Sequence, residues 1–124
     1  MIYQHYDDFD AEWKWDNFSP EELSCNHCGQ YYHDPYSLDL IQAARNNIKK
    51  PFHINSAHRC NAHNAAVGGR PASKHLKIAF DIRVNGLDPN ELYSKLDRLY
   101  PTTCGIGVYS WGVHIDFRKN KARW

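Results

Sequence analysis

The sequence predicts one α+β domain built on a small antiparallel sheet with a few helices packed against it. Three observations predict it. Two segments, Asp34 to Lys49 and Asp88 to Leu99, carry apolar residues at three- and four-residue spacing, the mark of a helix with one buried stripe. Between and after them lie short runs in which apolar and polar residues alternate, the mark of half-buried strands. With 124 residues, the chain is long enough for one modest core without a structural staple.

Composition narrows the function classes. The chain is 42% apolar and 14% aromatic, a globular rather than a disordered composition. Its formal net charge is +1 with no basic run, which argues against a nucleic-acid binder held by phosphate contacts. No stretch reaches the apolar length of a membrane-spanning helix, and the first residues lack the apolar segment of a signal peptide. Synthesis in the cytoplasm without membrane insertion is therefore expected, as is a monomer. The eight histidines are many for this length and fit metal chemistry.

In chain order, residues 1–18 read as an aromatic arm whose rings (Tyr3, Tyr6, Phe9, Trp13, Trp15, Phe18) pack on the domain formed by residues 19–124. A carbohydrate platform is the other reading of those rings. Ser19-Pro20-Glu21-Glu22 is a helix start with a capping box. Cys25-Asn26-His27-Cys28-Gly29 has the spacing of half a structural zinc site or of a redox pair, and Cys60 with His63 offers a second half. Two small buried thiols near a turn, or a Cys60–Cys104 disulfide, are the alternatives. Asp34-Pro35 opens the longest helix, about residues 35–49, with Leu38, Ile41, Ala44 and Ile48 on one stripe, and Pro51 ends it. Phe52 to Ala57 reads as a strand, followed by His58, Arg59, a short helix to about Val67 and the turn Gly68-Gly69-Arg70-Pro71. Asn85-Gly86 is a turn, and Asp88-Pro89 starts the second long helix on Leu92, Leu96 and Leu99. Gly105 to Tyr109 and Gly112 to Arg118 are the last two strands.

The chemistry concentrates in Ser73 to Ile82, S-K-H-L-K-I-A-F-D-I, and in Gly112 to Arg118, G-V-H-I-D-F-R. Alternation puts Ile78, Phe80 and Ile82 on one face of the first run and Ala79, Asp81 and Arg83 on the other. In the second it puts Val113, Ile115 and Phe117 opposite His114, Asp116 and Arg118. Pairing the two strands brings His75, Asp81 and His114 together. Two imidazoles and a carboxylate with a position left for water form the ligand set of a catalytic zinc. Either strand alone reads as readily as a hydrogen-bonded core histidine or a capping aspartate. Asp81 and His114, however, both interrupt apolar runs, where an unpaired polar group costs a few kcal/mol, and a shared Zn2+ satisfies both.

The blocks I-N-S-A-H-R-C-N-A-H-N-A-A-V-G-G-R-P-A-S-K-H, A-F-D-I, G-I-G-V-Y and V-H-I-D-F-R, with F-S-P-E-E-L-S-C before them, resemble the zinc D-alanyl-D-alanine carboxypeptidase and L-alanyl-D-glutamate endopeptidase family. Its phage endolysins and small bacterial cell-wall peptidases are the most similar, and the resemblance runs from Phe18 to Arg118. It implies a Hedgehog/DD-peptidase-like fold and a zinc held by His75, Asp81 and His114. It also implies a substrate contact at Ser73 and an Arg59 that binds a substrate carboxylate or carbonyl, a role suited to its planar fork. The implied substrate is the stem peptide of peptidoglycan, reached by a protein released from the cytoplasm, as in phage or prophage lysis. Two departures stand out. Five residues, none of them glycine, separate His75 from Asp81, where the family usually has six with a glycine. Trp111 stands where many members carry an acid, three residues before the last histidine. The nearest acid, Asp116, is then either the general base or the partner that orients a ligand histidine. A non-catalytic zinc-binding module of the same fold, as Hedgehog signalling domains are, is the alternative function.

Overall fold

Helix starts are set by prolines and short polar caps in this computed structural model, which describes residues 1–124. Helix α1 (Pro20–Leu23) opens with a complete capping box: Ser19 Oγ accepts the Glu22 N–H at 3.2 Å, and Glu22 Oε1 accepts the Ser19 N–H at 3.0 Å. Helix α2 (Pro35–Ile48) buries Leu38, Ile41 and Ala44 completely, and Lys49 in the left-handed region ends it. Helix α3 (Asn61–Ala66) is short, with Cys60 as its cap. Helix α4 (Pro89–Leu99) is capped by the Asp88 carboxylate, which accepts the Asn90 N–H at 2.7 Å, and it buries Leu92 and Leu96.

Seven strands form two sheets. Strands β1 (Ile2–Tyr3) and β2 (Tyr31–Tyr32) pair antiparallel and tie the first residues to the body. The main sheet has the order β3 (His53–Ser56), β4 (Phe80–Arg83), β6 (Val113–Asp116), β5 (Gly105–Val108) and β7 (Ala122–Arg123). All its pairings are antiparallel except the edge pair β5/β7. The sheet is thus mixed only at that edge, and the α+β architecture is as expected. Phe80, Ile82, Ile106, Val113 and Ile115 face the core, which α2 and α4 complete. Asp81, His114 and Asp116 face the other way, where His75, Arg59 and Trp124 meet them.

Two local differences from the sequence expectation bear on the site. The strand expected from Ile78 starts only at Phe80, after a 3-10 turn at Lys74–Leu76. The turn's backbone groups are used elsewhere: the Leu76 N–H donates to Ser73 O and the His75 carbonyl accepts the Arg59 N–H. Ala79 is accordingly fully buried instead of alternating outward. Strand β3 carries a register shift between Ile54 and Ser56, which puts Ser56 opposite Asp81.

Residues 1–18 pack by their rings. Phe9 meets Trp13 edge-on at 5.7 Å, Trp13 meets Trp15 at 4.9 Å, and Trp15 Nε1 donates to Asp39 Oδ1 at 2.9 Å. Trp15 and Phe18 belong to the main core. No helix is long and apolar enough to cross a membrane.

Candidate active site

Antiparallel pairing of β4 with β6 sets Asp81 directly across from His114. His75 comes in from the 3-10 turn, where Ser73 Oγ accepts its backbone N–H at 3.2 Å and Arg59 binds its carbonyl. The shortened His75–Asp81 connection does not separate the ligands. One donor atom from each of His75, Asp81 and His114 lies within 4.8 Å of the others.

The hydrogen-bond network assigns the ring tautomers. His75 Nδ1 lies 2.6 Å from the Ala57 carbonyl, which only accepts, so Nδ1 carries the proton and Nε2 presents a lone pair. That Nε2 sits 3.1 Å from Asp81 Oδ1 without hydrogen-bonding geometry, and it is the one buried side-chain nitrogen or oxygen left without a partner. His114 lies between two carboxylates that only accept, with Nε2 2.8 Å from Asp116 Oδ2 and Nδ1 3.0 Å from Asp81 Oδ1; both nitrogens donate here, and a metal at Nδ1 would take the place of the proton shared with Asp81. Two imidazole nitrogens therefore converge on one carboxylate oxygen. The set fits a zinc ion: neutral nitrogen donors, one anionic oxygen, and a second set of partners that fixes each ring.

The electrostatics favour ionised carboxylates and a protonated His114, whose Nδ1 proton a metal would displace. Burial pushes the Asp81 carboxyl up, but the hydrogen bond from His114 and the two adjoining imidazoles outweigh it and hold it at about 2. Asp116 is also pushed up by burial, and its bonds to Arg118 and His114 pull it well below the usual carboxylate range. Burial lowers His114, whereas the Asp116 and Asp81 carboxylates raise it further. The site holds its carboxylates ionised.

Asp116 is 2% exposed and both its oxygens are engaged. Oδ1 accepts from Arg118 Nε at 2.6 Å, and Oδ2 accepts from Arg118 Nη2 at 2.7 Å as well as from His114. Residues two apart on a strand are about 7 Å apart along it, yet these side chains lean into contact. Gly105 and Gly107 lie opposite Asp116 and His114 on β5. A Cβ at Gly105 would strike the Arg118 guanidinium and the Asp116 carboxylate, and one at Gly107 would strike the Trp124 indole. Trp124 closes this face: its ring centroid is 5.2 Å from that of His114, Arg118 lies over it at 5.5 Å, and its Nε1 donates to Tyr109 Oη at 2.6 Å.

Arg59 reaches the same centre from the loop after β3. Its Nη2 is 3.7 Å from Asp81 Oδ2, and its Nη1 donates to Asn64 Oδ1 at 3.0 Å. Asn64 in turn donates to the Arg70 carbonyl at 2.9 Å. His58 beside it is locked between the Lys77 carbonyl and Gln30 Oε1, with burial lowering its pKa.

Of the six residues singled out in the sequence, His75, Asp81 and His114 meet at one point, Arg59 approaches Asp81, Asp116 bonds His114, and Ser73 is joined to them through the His75 N–H. Sequence reasoning placed Arg118 on the His114 face but missed its clamp on Asp116, and it missed Asn64, Trp124 and the small face of β5. The G-x-G spacing opposite H-x-D was the available signal for that face. A Cys60–Cys104 disulfide is not formed: all four cysteines are free, and Cys60 lies with Cys25 and Cys28.

The model of the Peptidase M15 family matches residues 16–116. The chain belongs to the Peptidase M15 family. The match spans every site residue from Arg59 to Asp116 and stops short of Arg118 and Trp124. No curated protein and no solved structure matches the chain. As an M15 peptidase the protein is a hydrolase of a family that is typically zinc-dependent, and the His75, Asp81 and His114 cluster is a group able to hold that metal.

Proposed function

We propose that the protein is a zinc-dependent peptidase of bacterial peptidoglycan, a D,D-carboxypeptidase or an L-alanyl-D-glutamate-type endopeptidase. The observation that carries this reading is the unpartnered His75 Nε2 beside Asp81 Oδ1 and His114 Nδ1. His75, Asp81 and His114 would hold the zinc, which supplies Lewis-acid activation of water and of the scissile carbonyl. Asp116 keeps the His114 Nε2 protonated, so that Nδ1 is the nitrogen that would give its lone pair to the metal, and Arg118 keeps Asp116 ionised and in place. Its oxygens are engaged, so we assign it to positioning His114 rather than to taking the proton of the attacking water. Arg59 offers its fork to a substrate carboxylate, of which stem peptides have several. Ser73 uses its oxygen as acceptor for the His75 N–H and retains its hydroxyl proton to donate to a substrate carbonyl. Action on the wall would follow release from the cytoplasm, as phage- or prophage-driven lysis brings about.

One observation favours a second reading, a non-catalytic zinc-binding module: Trp111 replaces an acid three residues before His114 while Asp116 is sealed by Arg118. Incubation of the zinc-loaded protein with purified peptidoglycan, followed by mass spectrometry of the soluble products, separates the two. New fragments that disappear with a chelator support the peptidase, and their masses identify the bond. Loss of a single D-alanine marks a carboxypeptidase and release of whole stem peptides an endopeptidase. Folded, zinc-loaded protein that yields no products and yet co-sediments with peptidoglycan supports the module.

A further inference from the structure

A second cluster of metal-ligand type lies outside the active site and plays no part in the proposed hydrolysis. The Sγ atoms of Cys25, Cys28 and Cys60 are all within 4.8 Å of one another, and none is in a disulfide. The local backbone is built for that approach. In Cys25-Asn26-His27-Cys28-Gly29 the Gly29 N–H donates to Cys25 O at 2.9 Å, and the Cys25 N–H donates to Gln30 O at 2.7 Å. The resulting tight knuckle turns both thiols to one side. Gly29 has φ +79°, and a Cβ there would strike the His5 ring, so both backbone angle and space call for glycine. Two backbone N–H groups point at sulfur: Cys60 N at 3.5 Å from Cys25 Sγ, and His63 N at 3.4 Å from Cys60 Sγ. Such donors favour the thiolate, the form that binds metal. The His27 and His63 rings stack at 5.7 Å with an interplanar angle of 5°, one between the knuckle cysteines in sequence and the other three residues after Cys60.

We propose that Cys25, Cys28 and Cys60 form a second, structural zinc site whose fourth ligand is an imidazole of the His27/His63 pair; neither ring has a nitrogen within 4.8 Å of all three sulfurs in this structure, so one of them turns in when the metal binds. Three thiolates and one imidazole are a closed tetrahedral zinc set, and soft sulfur ligands select zinc over magnesium or calcium. Each thiol gives up its proton to solvent when it binds. The site joins the knuckle to the residue that follows Arg59, across chain that already meets where the His58 N–H donates to Leu23 O and Asn26 Nδ2 donates to Asn55 O. Its role is to hold the Arg59 loop against the knuckle. This inference is independent of the peptidase reading.

Metal analysis of the reduced full-length protein, together with optical spectra of the cobalt-loaded protein, tests it. The expected result is two zinc ions per chain, one for each cluster, and a thiolate-to-cobalt charge-transfer band in the near ultraviolet. The His75, Asp81 and His114 centre has no sulfur and cannot give that band. His114→Ala should lower the zinc content to one and keep the band, whereas Cys28→Ser, at an exposed position, should weaken or abolish it. His63→Ala and His27→Ala identify the nitrogen donor by which one shifts the cobalt spectrum. A single zinc per chain that His114→Ala removes, with no charge-transfer band in the reduced wild type, would overturn the proposal. So would a Cys25–Cys28 or Cys25–Cys60 disulfide in protein that binds no cobalt through sulfur after reduction. The wild-type spectrum decides even if the cysteine variants fail to fold.

Discussion

In the proposed site a single hydrogen bond, from His114 Nε2 to Asp116, decides which histidine nitrogen would be offered to the metal. Asp116→Ala removes the acceptor and frees the Arg118 fork. Zinc affinity should then fall by about 10- to 100-fold, the usual cost of losing such a partner, as read by competition with a chromophoric chelator. An Asp116 that served as the base would instead cost turnover and spare zinc. Arg59→Lys keeps the charge but loses the bidentate fork. It should raise KM for stem peptides and leave zinc content unchanged, measurable by steady-state assays on defined peptides. Much of this was legible from the residues: Asp81 and His114 betrayed themselves by breaking apolar runs, and alternation put Asp116 and Arg118 on the same face. Trp124 gave no such signal, because its contacts depend on a strand of only two residues, too short to show a period.

At the scale of elements, the site is the polar face of two strands whose other face is core. Its precision depends on β5 presenting no side chain at Gly105 and Gly107. Gly107→Val should displace the Trp124 indole and cost about 1–3 kcal/mol, the range for forcing bulk into a packed site. Urea denaturation would measure it, and Trp124→Ala in the same chain should relieve part of the cost. The helices were legible because caps and stripes are local: Ser19 with Glu22, Asp88 with Asn90, and Leu38 with Ile41 all lie within one turn. Strand limits were less so. The run from Ile78 alternates in sequence, but the strand starts only at Phe80, after a turn whose backbone is bound by Arg59 and by itself, contacts a periodicity cannot register. The β1/β2 pair and β7 escaped for the same reason as Trp124: they are two residues long and exist through long-range partners.

At the scale of the molecule, the N-terminal arm and the metal should both couple to stability. His33 lies among Phe9, Trp13 and Trp15, and its Nδ1 is 2.8 Å from Tyr31 Oη. Burial, then the charge of the chain's amino terminus, lowers its pKa from 6.5, and Asp34 only partly offsets them. A depressed histidine favours the neutral form, so its contribution to stability is full above pH 6.5 and is lost as pH falls through the folded value. Tryptophan fluorescence should therefore report loosening of the arm on acidification below pH 6.5, and His33→Gln should flatten that response. On the proposed reading zinc would bind the folded site and not an unfolded chain that lacks it, so chelation should lower Tm, by the equivalent of about 2.7 kcal/mol where free zinc had been 100 times Kd. The central claim is that zinc is held by His75 Nε2, Asp81 and His114 Nδ1. Crystals of the zinc-loaded protein measured at the zinc absorption edge test it most directly. The account predicts an anomalous peak among those three atoms, with His114 Nε2 still on Asp116. An absence of zinc there in loaded protein, or His114 bound through Nε2 with Asp116 swung away, would contradict it.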